Sequence, residues 1–389
     1  MTIEPFAIDI PDAVLDDLRA RLERTQLPSG FAGDGWRAGV DLDYLRELLD
    51  YWIGSFDWRA REREINRYPQ FRAMIDGIPV HFLHARGTGP QPLPLVLTHG
   101  WPWTFWDFEH VIGPLTDPAA YGGEPGDAFD LVVPSLPGFV FSTPLPRPVD
   151  WQATADLWAR LMRELDYERF GASGGDYGRI VTLQLGHKYA ERVVGAHIYG
   201  TRGLGTWNVE RPWDLAGPVP DDLPALTRAM LLGRQRRFSA HVTVQVLDPQ
   251  SLAVGLHDSP AGLCAWLVVR RRNWSDCAGD VEMCFSKDEL LTHVMLYWAT
   301  QSFWTSARYY YEAANRPWRP AHDRTPPVLA PTGVSVFLND EPIPRTDTQL
   351  AQEVNLRFRR DHERGGHFAP AERPETIVED IRDFFRPLR

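Results

Sequence analysis

The chain has 389 residues, of which 43% are hydrophobic and 24% are charged, and its formal net charge is −11. This length predicts one large domain with insertions or two domains, and it is sufficient to bury a sizeable core. The acidic balance argues against a nucleic-acid partner, because binding to phosphates requires clustered lysine and arginine. We interpret the three arginines at 270–272 as the solvated face of a helix.

Three cysteines lie close together in the sequence, at Cys264, Cys277 and Cys284. Their odd number and their spacing favour reduced packing residues over a disulfide framework or a zinc site, so we expect no metal. The sequence shows neither a leader-like N-terminus nor a run of about 18 apolar residues, the usual length of a membrane span. We therefore expect a soluble cytoplasmic enzyme with no membrane partner.

Two amphipathic helices are predicted near the N-terminus. Apolar residues recur at helical spacing after Asp12 and again after Asp41, and each aspartate is a suitable N-cap. The stretch between the two helices, residues 26–39, is rich in glycine and proline and predicts an irregular connection. Both helices are expected to pack their apolar faces on a larger body.

From Ile78 onward, short apolar runs alternate with helical segments. This alternation predicts an α/β fold, with a mostly parallel sheet covered by helices on both faces. The predicted strands are 80–83, 95–98, 129–133, 193–198, 334–338 and 355–358. Residues 201–318 interrupt the alternation with helix-like segments such as 290–311. We expect this insertion to form a cap above the carboxyl ends of the strands, where ligands bind in such folds.

The sequence Gly-Gly-Asp-Tyr-Gly at 174–178 predicts a sharp turn from a strand into a helix. Small residues on both sides of a reactive side chain allow the strained turn, called a nucleophile elbow, that holds the side chain clear of the backbone. Asp176 is therefore our candidate nucleophile. An aspartate that attacks a saturated carbon forms an alkyl ester, which indicates an epoxide or an alkyl halide as the substrate.

Residues 171–175, Gly-Ala-Ser-Gly-Gly, also fit the Gly-x-Ser-x-Gly pattern of serine hydrolases. Ser173 and Asp176 cannot both occupy the tip of one elbow, and spacing alone excludes neither. A glycine-rich turn without a catalytic function is a third interpretation. The local sequence leaves these alternatives open.

Two other glycine-containing turns carry candidate catalytic groups. In the His-Gly-Trp-Pro turn at 99–102, the N–H of Trp101 is placed to pair with the N–H of Tyr177 as an oxyanion hole. His367 follows two glycines in the loop after the last predicted strand and is our candidate general base. Asp340 and Glu341, just past the strand at 334–338, are candidates for the carboxylate that orients this histidine.

Taken together, these segments resemble the microsomal-type epoxide hydrolases, which are α/β-hydrolases with a distinctive N-terminal extension. The resemblance covers nearly the whole chain. It rests on residues between 58 and 71 and at 81–84 for the extension, 99–102 and 134–139 for the strand-end loops, 174–176 for the nucleophile, 258–262 and 296–298 for the cap, and 365–368 for the base.

The resemblance implies an α/β-hydrolase fold in which residues 1–77 form the N-terminal extension, 78–200 and 319–389 the core, and 201–318 the helical cap. It implies Asp176, rather than Ser173, as the nucleophile. The family's acid lies 27 residues before its histidine, and 367 − 27 = 340 selects Asp340 over Glu341. The implied activity is hydrolysis of an epoxide to a vicinal diol through an aspartyl ester, without a cofactor.

The resemblance also implies two cap tyrosines that donate protons to the epoxide oxygen. Tyr310 matches the second of them. The first falls 17 residues before Asp258, and 258 − 17 = 241 places His241 there, which departs from the family pattern. Either His241 replaces the tyrosine as a donor, as an imidazolium or through one neutral N–H, or Tyr310 is the sole donor and His241 shapes the pocket.

Two other functions are compatible with the same residues. A haloalkane dehalogenase shares an aspartate nucleophile, but such enzymes commonly bind the halide through Trp and Asn donors, and Tyr177 after the nucleophile carries no indole. The second is a cyclase or binding protein that kept the scaffold without hydrolysis, and only His241 points to it.

The substrate and the assembly are less constrained by the sequence. Four aromatic residues crowd one turn, at Trp101, Trp103, Phe105 and Trp106. They suit a pocket for a bulky or aromatic epoxide, and packing against the N-terminal extension explains them equally well. A homo-oligomer is compatible with the sequence.

Overall fold

One sheet of nine strands runs through the computed structural model, which describes residues 2–205, 210, 211, 213, 215, 219 and 221–389. The strands are β1 (Ile3–Phe6), β2 (Gln70–Ile75), β3 (Ile78–Ala85), β4 (Leu93–Thr98), β5 (Phe129–Pro134), β6 (Phe170–Gly174), β7 (Val193–Tyr199), β8 (Val328–Phe337) and β9 (Val354–His362). Their order is β1-β2-β3-β5-β4-β6-β7-β8-β9. The strands from β5 to β9 in this order are parallel, and β1, β2 and β3 pair antiparallel, so the mostly parallel sheet is confirmed.

Helices fill the intervals between the strands. Within the described residues they are α1 (Asp12–Glu23), α2 (Leu42–Gly54), α3 (Trp58–Ile65), α4 (Glu109–Thr116), α5 (Trp151–Glu164), α6 (Tyr177–Lys188), α7 (Ala225–Leu247), α8 (Pro249–Asp258), α9 (Pro260–Trp274), α10 (Lys287–Ala299), α11 (Phe303–Asn315), α12 (Asp347–Ala351), α13 (Ala369–Glu372) and α14 (Pro374–Phe385). Among the described residues, no single helix is long and apolar enough to cross a membrane; α8 and α9 meet that test only as a pair, bent by 120°.

Helices cover both faces of the sheet, as the sequence predicts. The strands β3, β5, β6 and β7 are buried at every position, which is the pattern of a sheet enclosed on both sides. Neighbouring residues of β7 point to opposite faces. A Cβ at Gly195 would lie 2.9 Å from Phe384 of α14, whereas Ala196 lies under Gly186 of α6.

The N-terminal region adds both strands and helices to this core. Asp41 caps α2 by accepting hydrogen bonds from the N–H groups of Asp43 and Tyr44, as predicted. The predicted N-cap at Asp12 is wrong: α1 is preceded by Pro11, and Asp12 is its first residue, where a negative charge also suits the positive end of the helix dipole. The strands β1 and β2 lack a strong alternating pattern and were not expected.

Helices α7 to α11 are inserted between β7 and β8 and pack against the N-terminal helices. Across this contact the Tyr51 hydroxyl donates to Asp288 at 2.9 Å, and Arg21 donates to Asp258 at 2.7 Å. The helix-like segment 290–311 is divided into α10 and α11 by a break at residues 300–302. Residues 206–209, 212, 214, 216–218 and 220 of the predicted cap lie outside the described residues.

The interpretation of residues 270–272 as a solvated helix face is wrong. The Arg271 side chain is 3% exposed, and its guanidinium contacts the fully buried carboxylate of Asp107 at 2.5 and 3.0 Å. Asp107 also accepts the N–H of Thr104 at 2.8 Å, in the turn that follows β4. The ion pair therefore joins α9 of the inserted helices to the core.

We expect Arg271→Gln to destabilise the protein by about 3 kcal/mol, because it leaves the buried Asp107 carboxylate without its counter-charge. Urea unfolding, monitored by circular dichroism, measures the decrease in the free energy of unfolding. The control is Arg63→Gln, at an exposed position of α3, which should change the unfolding midpoint little. A loss below about 0.5 kcal/mol in Arg271→Gln would contradict the role of this ion pair.

Candidate active site

The chain turns sharply between β6 and α6, and Asp176 occupies the tip of that turn. Its backbone has φ 50° and ψ −121°, a positive-φ conformation that is uncommon outside glycine and is characteristic of strained functional turns. Gly178 lies so close to the end of β4 that a Cβ there would be 1.8 Å from the Thr98 carbonyl oxygen. The small residues around Asp176 are thus required by backbone packing.

Ser173 does not share this position. It lies in β6 with no exposed surface, and its hydroxyl is 3.1 Å from both the His197 Nδ1 and the Tyr199 hydroxyl. Asp176 lines the cavity of the site and Ser173 does not. Of the two elbow interpretations, the geometry fits the aspartate.

The predicted oxyanion donors lie at the Asp176 carboxylate. The N–H of Trp101 donates to Asp176 Oδ1 at 2.8 Å, and the N–H of Tyr177 donates to the same side chain. The turn after β4 can approach this closely because residue 100 is glycine: a Cβ at Gly100 would lie 2.3 Å from the Asp176 Cβ. The two N–H groups therefore converge where a carbonyl oxygen of this side chain would carry negative charge during acyl transfer.

The candidate base and acid reach Asp176 from two later loops. His367 Nε2 lies 3.5 Å from Asp176 Oδ2, and His367 Nδ1 lies 3.3 Å from Asp340 Oδ2. Glu341, the alternative acid, is turned away and accepts hydrogen bonds from the Thr201 N–H at 2.7 Å and the Thr201 hydroxyl at 2.6 Å. The structure thus brings together Asp176, His367 and Asp340, which are separated by up to 191 residues (367 − 176 = 191).

The loop that carries His367 is held by hydrogen bonds from its backbone N–H groups, and the sequence did not reveal their acceptors. The His367 N–H donates to the Trp274 carbonyl at 2.8 Å, at the end of α9. Glu372 accepts the N–H groups of Gly366 at 2.9 Å and Phe368 at 2.8 Å. The position of the imidazole therefore depends on α9 as well as on the core.

The three groups shift one another's pKa. Burial alone would lower the pKa of His367, but the charge of Asp340 and the hydrogen bonds to Asp176 and Asp340 raise it to about 9. Burial would raise the pKa of Asp340, yet the His367 charge and hydrogen bond lower it to about 2. The pKa of Asp176 is also lowered, because the His367 hydrogen bond and charge and the two backbone N–H groups outweigh burial. At neutral pH two carboxylates therefore flank an imidazolium.

Tyr310 and His241 lie together at the cavity, next to Tyr177 and Trp101. The Tyr310 ring contacts Tyr177 edge-on at 4.9 Å between centroids, and its hydroxyl is 3.2 Å from His241 Nε2. Burial, and then the charge of Asp176, raise the pKa of Tyr310 well above its usual value, so its proton is retained. His241 stacks on Trp101 at 5.2 Å with an interplanar angle of 7°.

The environment of His241 favours the neutral ring. Burial first, and then the charges of Arg270 and His367, lower its pKa well below the usual value. Of the two donor hypotheses for His241, an imidazolium is thus disfavoured in the free enzyme. A neutral ring in hydrogen-bond contact with Tyr310 fits the geometry.

These side chains line a cavity of about 530 Å³. Its aromatic lining comes from Tyr177, Trp213, Phe238, Trp274 and Tyr310. The four aromatic residues of the turn at 101–106 do not line it: Trp103 packs on His367 and Phe368, and Trp106 packs on Tyr68 of the N-terminal region. Packing against the N-terminal region thus accounts for Trp106, whereas Trp101 stacks on the cavity residue His241.

The sequence did not indicate the arginines of this cavity, Arg179, Arg202, Arg234 and Arg345, because nothing in the local pattern connects them. No group of three or more His, Cys, Asp and Glu side chains that could hold a metal ion occurs among the described residues. The three cysteines are free thiols.

An aspartate at a strand-to-helix elbow, a histidine in the loop after the last strand and two backbone donors beside the aspartate define the α/β-hydrolase class. The family model described as the N terminus of epoxide hydrolases matches residues 3–108. A Stigmatella aurantiaca protein named "Putative epoxide hydrolase" is 36% identical over 394 residues, with 100% of this chain and 86% of that protein covered.

Two further relatives agree. Epoxide hydrolase 1 of Oryctolagus cuniculus is 29% identical, with 98% of this chain and 88% of that protein covered. A solved structure of the Aspergillus niger epoxide hydrolase matches with a TM-score of 0.80 and 27% identity, covering 100% of this chain and 97% of that one. The chain belongs to the epoxide hydrolase family.

We expect Asp176→Asn to lower the pKa of His367 from about 9 by about one pH unit or more, because one of the two carboxylates that favour the imidazolium loses its charge. A pH titration of the imidazole nitrogens by NMR measures this shift. The control is Asp361→Asn, at an exposed carboxylate paired with Arg359. An unchanged His367 pKa in Asp176→Asn would show that the two side chains are not electrostatically coupled.

Proposed function

We propose that this enzyme opens epoxides through a covalent ester on Asp176 and hydrolyses that ester with water activated by His367. The observation that supports this mechanism is the convergence of four groups on one cavity: the Asp176 carboxylate, the His367–Asp340 pair, and the Trp101 and Tyr177 N–H groups. An aspartate held in this way is suited to attack carbon, and a histidine behind it is suited to activate water.

In the first step, an Asp176 carboxylate oxygen attacks one epoxide carbon and the bond from that carbon to the ring oxygen breaks. The oxygen takes a proton from Tyr310, whose high pKa keeps the proton available at any working pH. His241, in contact with the Tyr310 hydroxyl, holds that hydroxyl in place. The product of this step is a hydroxyalkyl ester of Asp176.

Ester formation prepares the second step, because it removes the negative charge of Asp176. The imidazolium of His367 loses part of the support that raised its pKa to about 9, and it releases its proton to solvent. Hydrolysis is then expected to accelerate as the pH rises through the pKa of His367 in the ester intermediate, which lies below its value in the free enzyme.

In the second step the neutral His367 takes one proton from water, and the resulting hydroxide attacks the ester carbonyl. The Trp101 and Tyr177 N–H groups stabilise the tetrahedral oxyanion. The acyl bond breaks, His367 returns its proton to the departing diol oxygen, and the second water proton restores the Tyr310 hydroxyl. The restored charge of Asp176 raises the pKa of His367 again, and the imidazole takes back from solvent the proton that it released after ester formation. The net reaction adds one water to one epoxide.

We infer that helices α7 to α11 act as the cap of this site. They supply His241 from α7 and Tyr310 from α11, and the end of α9 holds the His367 loop. The residues that activate the epoxide oxygen therefore come from the inserted helices, and the nucleophile comes from the core. The cytoplasmic location, the oligomeric state and a preference for bulky epoxides remain predictions.

The alternatives from the sequence have less support. A haloalkane dehalogenase is disfavoured because the relatives described above are named epoxide hydrolases. The interpretation as a cyclase or binding protein depended on His241 alone. That side chain lies next to Tyr310, and Asp176, His367 and Asp340 still contact one another.

We expect His367→Gln to accumulate a covalent ester with styrene oxide, since ring opening proceeds while activation of water is lost. Intact-protein mass spectrometry should show the mass of one added styrene oxide, located by peptide mapping on Asp176. The matched variant Asp176→Asn should show no adduct. An adduct on Ser173 would overturn the assignment of the nucleophile.

We expect His241→Phe to slow ester formation by about tenfold or more, because the polar contact with Tyr310 is lost while the ring stacking on Trp101 is kept. Rapid mixing in the His367→Gln background measures this single step. The shape of the pH profile between about pH 6 and 9 should not change, because His241 is neutral throughout. His241→Tyr serves as the control, since it restores a polar group beside Tyr310, and a wild-type rate in His241→Phe would show that His241 does not position the Tyr310 hydroxyl.

A further inference from the structure

Three arginines face the cavity beside the proposed catalytic residues. Arg179 comes from the first turn of α6, Arg202 from the segment after β7, and Arg234 from α7. They belong to three separate elements, and the charges of Arg179 and Arg234 act on Arg202. The chain as a whole carries a net charge of −11, so this concentration of positive charge is a local feature of the cavity.

The carboxylates that line the same cavity already have partners. Asp340 faces His367, Glu341 accepts two hydrogen bonds from Thr201, and Glu353 pairs with Arg345 at 2.8 Å. Asp176 has His367 and the Trp101 N–H. Each of these carboxylates thus has a hydrogen-bond or ion-pair partner other than the three arginines, although Asp340 and Glu341 lie near enough for their charges to act on Arg202.

The three guanidinium groups are only partly satisfied. Arg179 Nη1 donates to the Tyr199 carbonyl at 3.3 Å, and Arg202 Nη1 donates to the Leu215 carbonyl at 2.9 Å. The Nε atoms of Arg179 and Arg234 are buried without a hydrogen-bond partner, and among the described residues no ion pair joins any of the three arginines to a carboxylate. Several N–H donors thus remain available to a ligand.

The arginines also repel one another. Burial first, and then the charges of Arg234 and Arg179, lower the pKa of Arg202 to about 10, although Glu341 and Asp340 act in the opposite direction. A bound anion would relieve this repulsion and fill the open donor positions. Arginine is suited to that task, because its planar guanidinium binds the two oxygens of a carboxylate or a phosphonate at once.

The position of Arg179 relates this charge to the reaction. It follows Asp176 by three residues, which is about one helical turn, or about 5 to 6 Å between neighbouring side-chain bases on a helix surface. A molecule of moderate size can therefore place an epoxide carbon at Asp176 and an anionic group at the arginines simultaneously. The cavity of about 530 Å³ has room for both.

We propose that the preferred substrates of this enzyme are epoxides that carry an anionic oxyacid group, a carboxylate in the first place, bound by Arg179, Arg202 and Arg234. This inference rests on the proposed epoxide hydrolysis at Asp176. It assigns the three arginines to substrate selection, in contrast to the apolar recognition that the aromatic lining alone would provide.

The test compares para-carboxystyrene oxide with its methyl ester, with styrene oxide and with the para-phosphonate analogue, at equal ionic strength. The wild type should turn over the carboxylate with a kcat/KM at least about tenfold above that of the ester, because a charge-assisted hydrogen bond contributes on this scale. A larger advantage for the phosphonate would identify that oxyacid as the better fit. Both results support the proposal, and equal rates for charged and neutral epoxides overturn it.

Arg202→Gln and Arg234→Gln should each reduce the ratio of carboxylate to ester kcat/KM by about tenfold. The matched control is Arg236→Gln, which removes the same charge from an exposed position of α7 outside the cavity and should leave the ratio unchanged. If the ratio falls equally in the control, the effect comes from the overall charge of the protein and the proposal fails.

A binding measurement separates failure of this inference from failure of the proposed function. para-Ethylbenzoate carries the carboxylate but no epoxide, and para-ethylbenzamide is its neutral counterpart; quenching of tryptophan fluorescence reports their binding near Trp274. If none of the four epoxides is hydrolysed, the proposed function fails. Tighter binding of the benzoate, weakened by Arg202→Gln, would still support the anion site, and equal binding of the two compounds would overturn it.

Discussion

The geometry of this site depends on how closely the backbone at the end of β4 approaches the backbone that enters α6. A side chain at Gly178 would collide with the Thr98 carbonyl, and one at Gly100 would collide with Asp176 itself. Because neither position carries a side chain, the Trp101 N–H reaches the Asp176 carboxylate at 2.8 Å. The same approach holds Asp176 in its positive-φ conformation, so the position of the nucleophile and the position of the oxyanion donors have one physical cause.

The charges of Asp176, His367 and Asp340 depend on one another. His367 lies between two carboxylates. Burial lowers the pKa of the imidazole, but the two carboxylates together raise it further than burial lowers it. A site of this kind changes its own proton affinity as the reaction proceeds, because ester formation neutralises Asp176 and leaves Asp340 as the only nearby negative partner among the three. Ester formation thus favours the neutral form of His367 at the step in which the imidazole must accept a proton from water.

The inserted helices are coupled to the core at several points that bear on this chemistry. Arg271 of α9 is paired with the buried Asp107 beside the oxyanion turn, and the Trp274 carbonyl at the end of α9 accepts the N–H of His367. The N-terminal helices contact α9 and α10 from outside. The extension, the inserted helices and the catalytic loops therefore support one another, and the arginines of the cavity wall lie on elements that this arrangement brings together.

The sequence by itself determined the parts of this protein that depend on local pattern. Buried strands appear as continuous apolar runs, the elbow appears as small residues around Asp176, and Asp41 marks the start of α2, because each of these is set by neighbours within a few residues. The resemblance then selected Asp340 over Glu341, and the geometry agrees. Only the tertiary structure decided the rest. Examples are the burial of Arg271, the packing of Trp106 on Tyr68, the lowered pKa of His241 and the proximity of Arg179, Arg202 and Arg234. All of them depend on contacts between residues far apart in the chain. Such contacts leave no periodic signal in one sequence, since burial and charge are set by whichever elements the fold brings together.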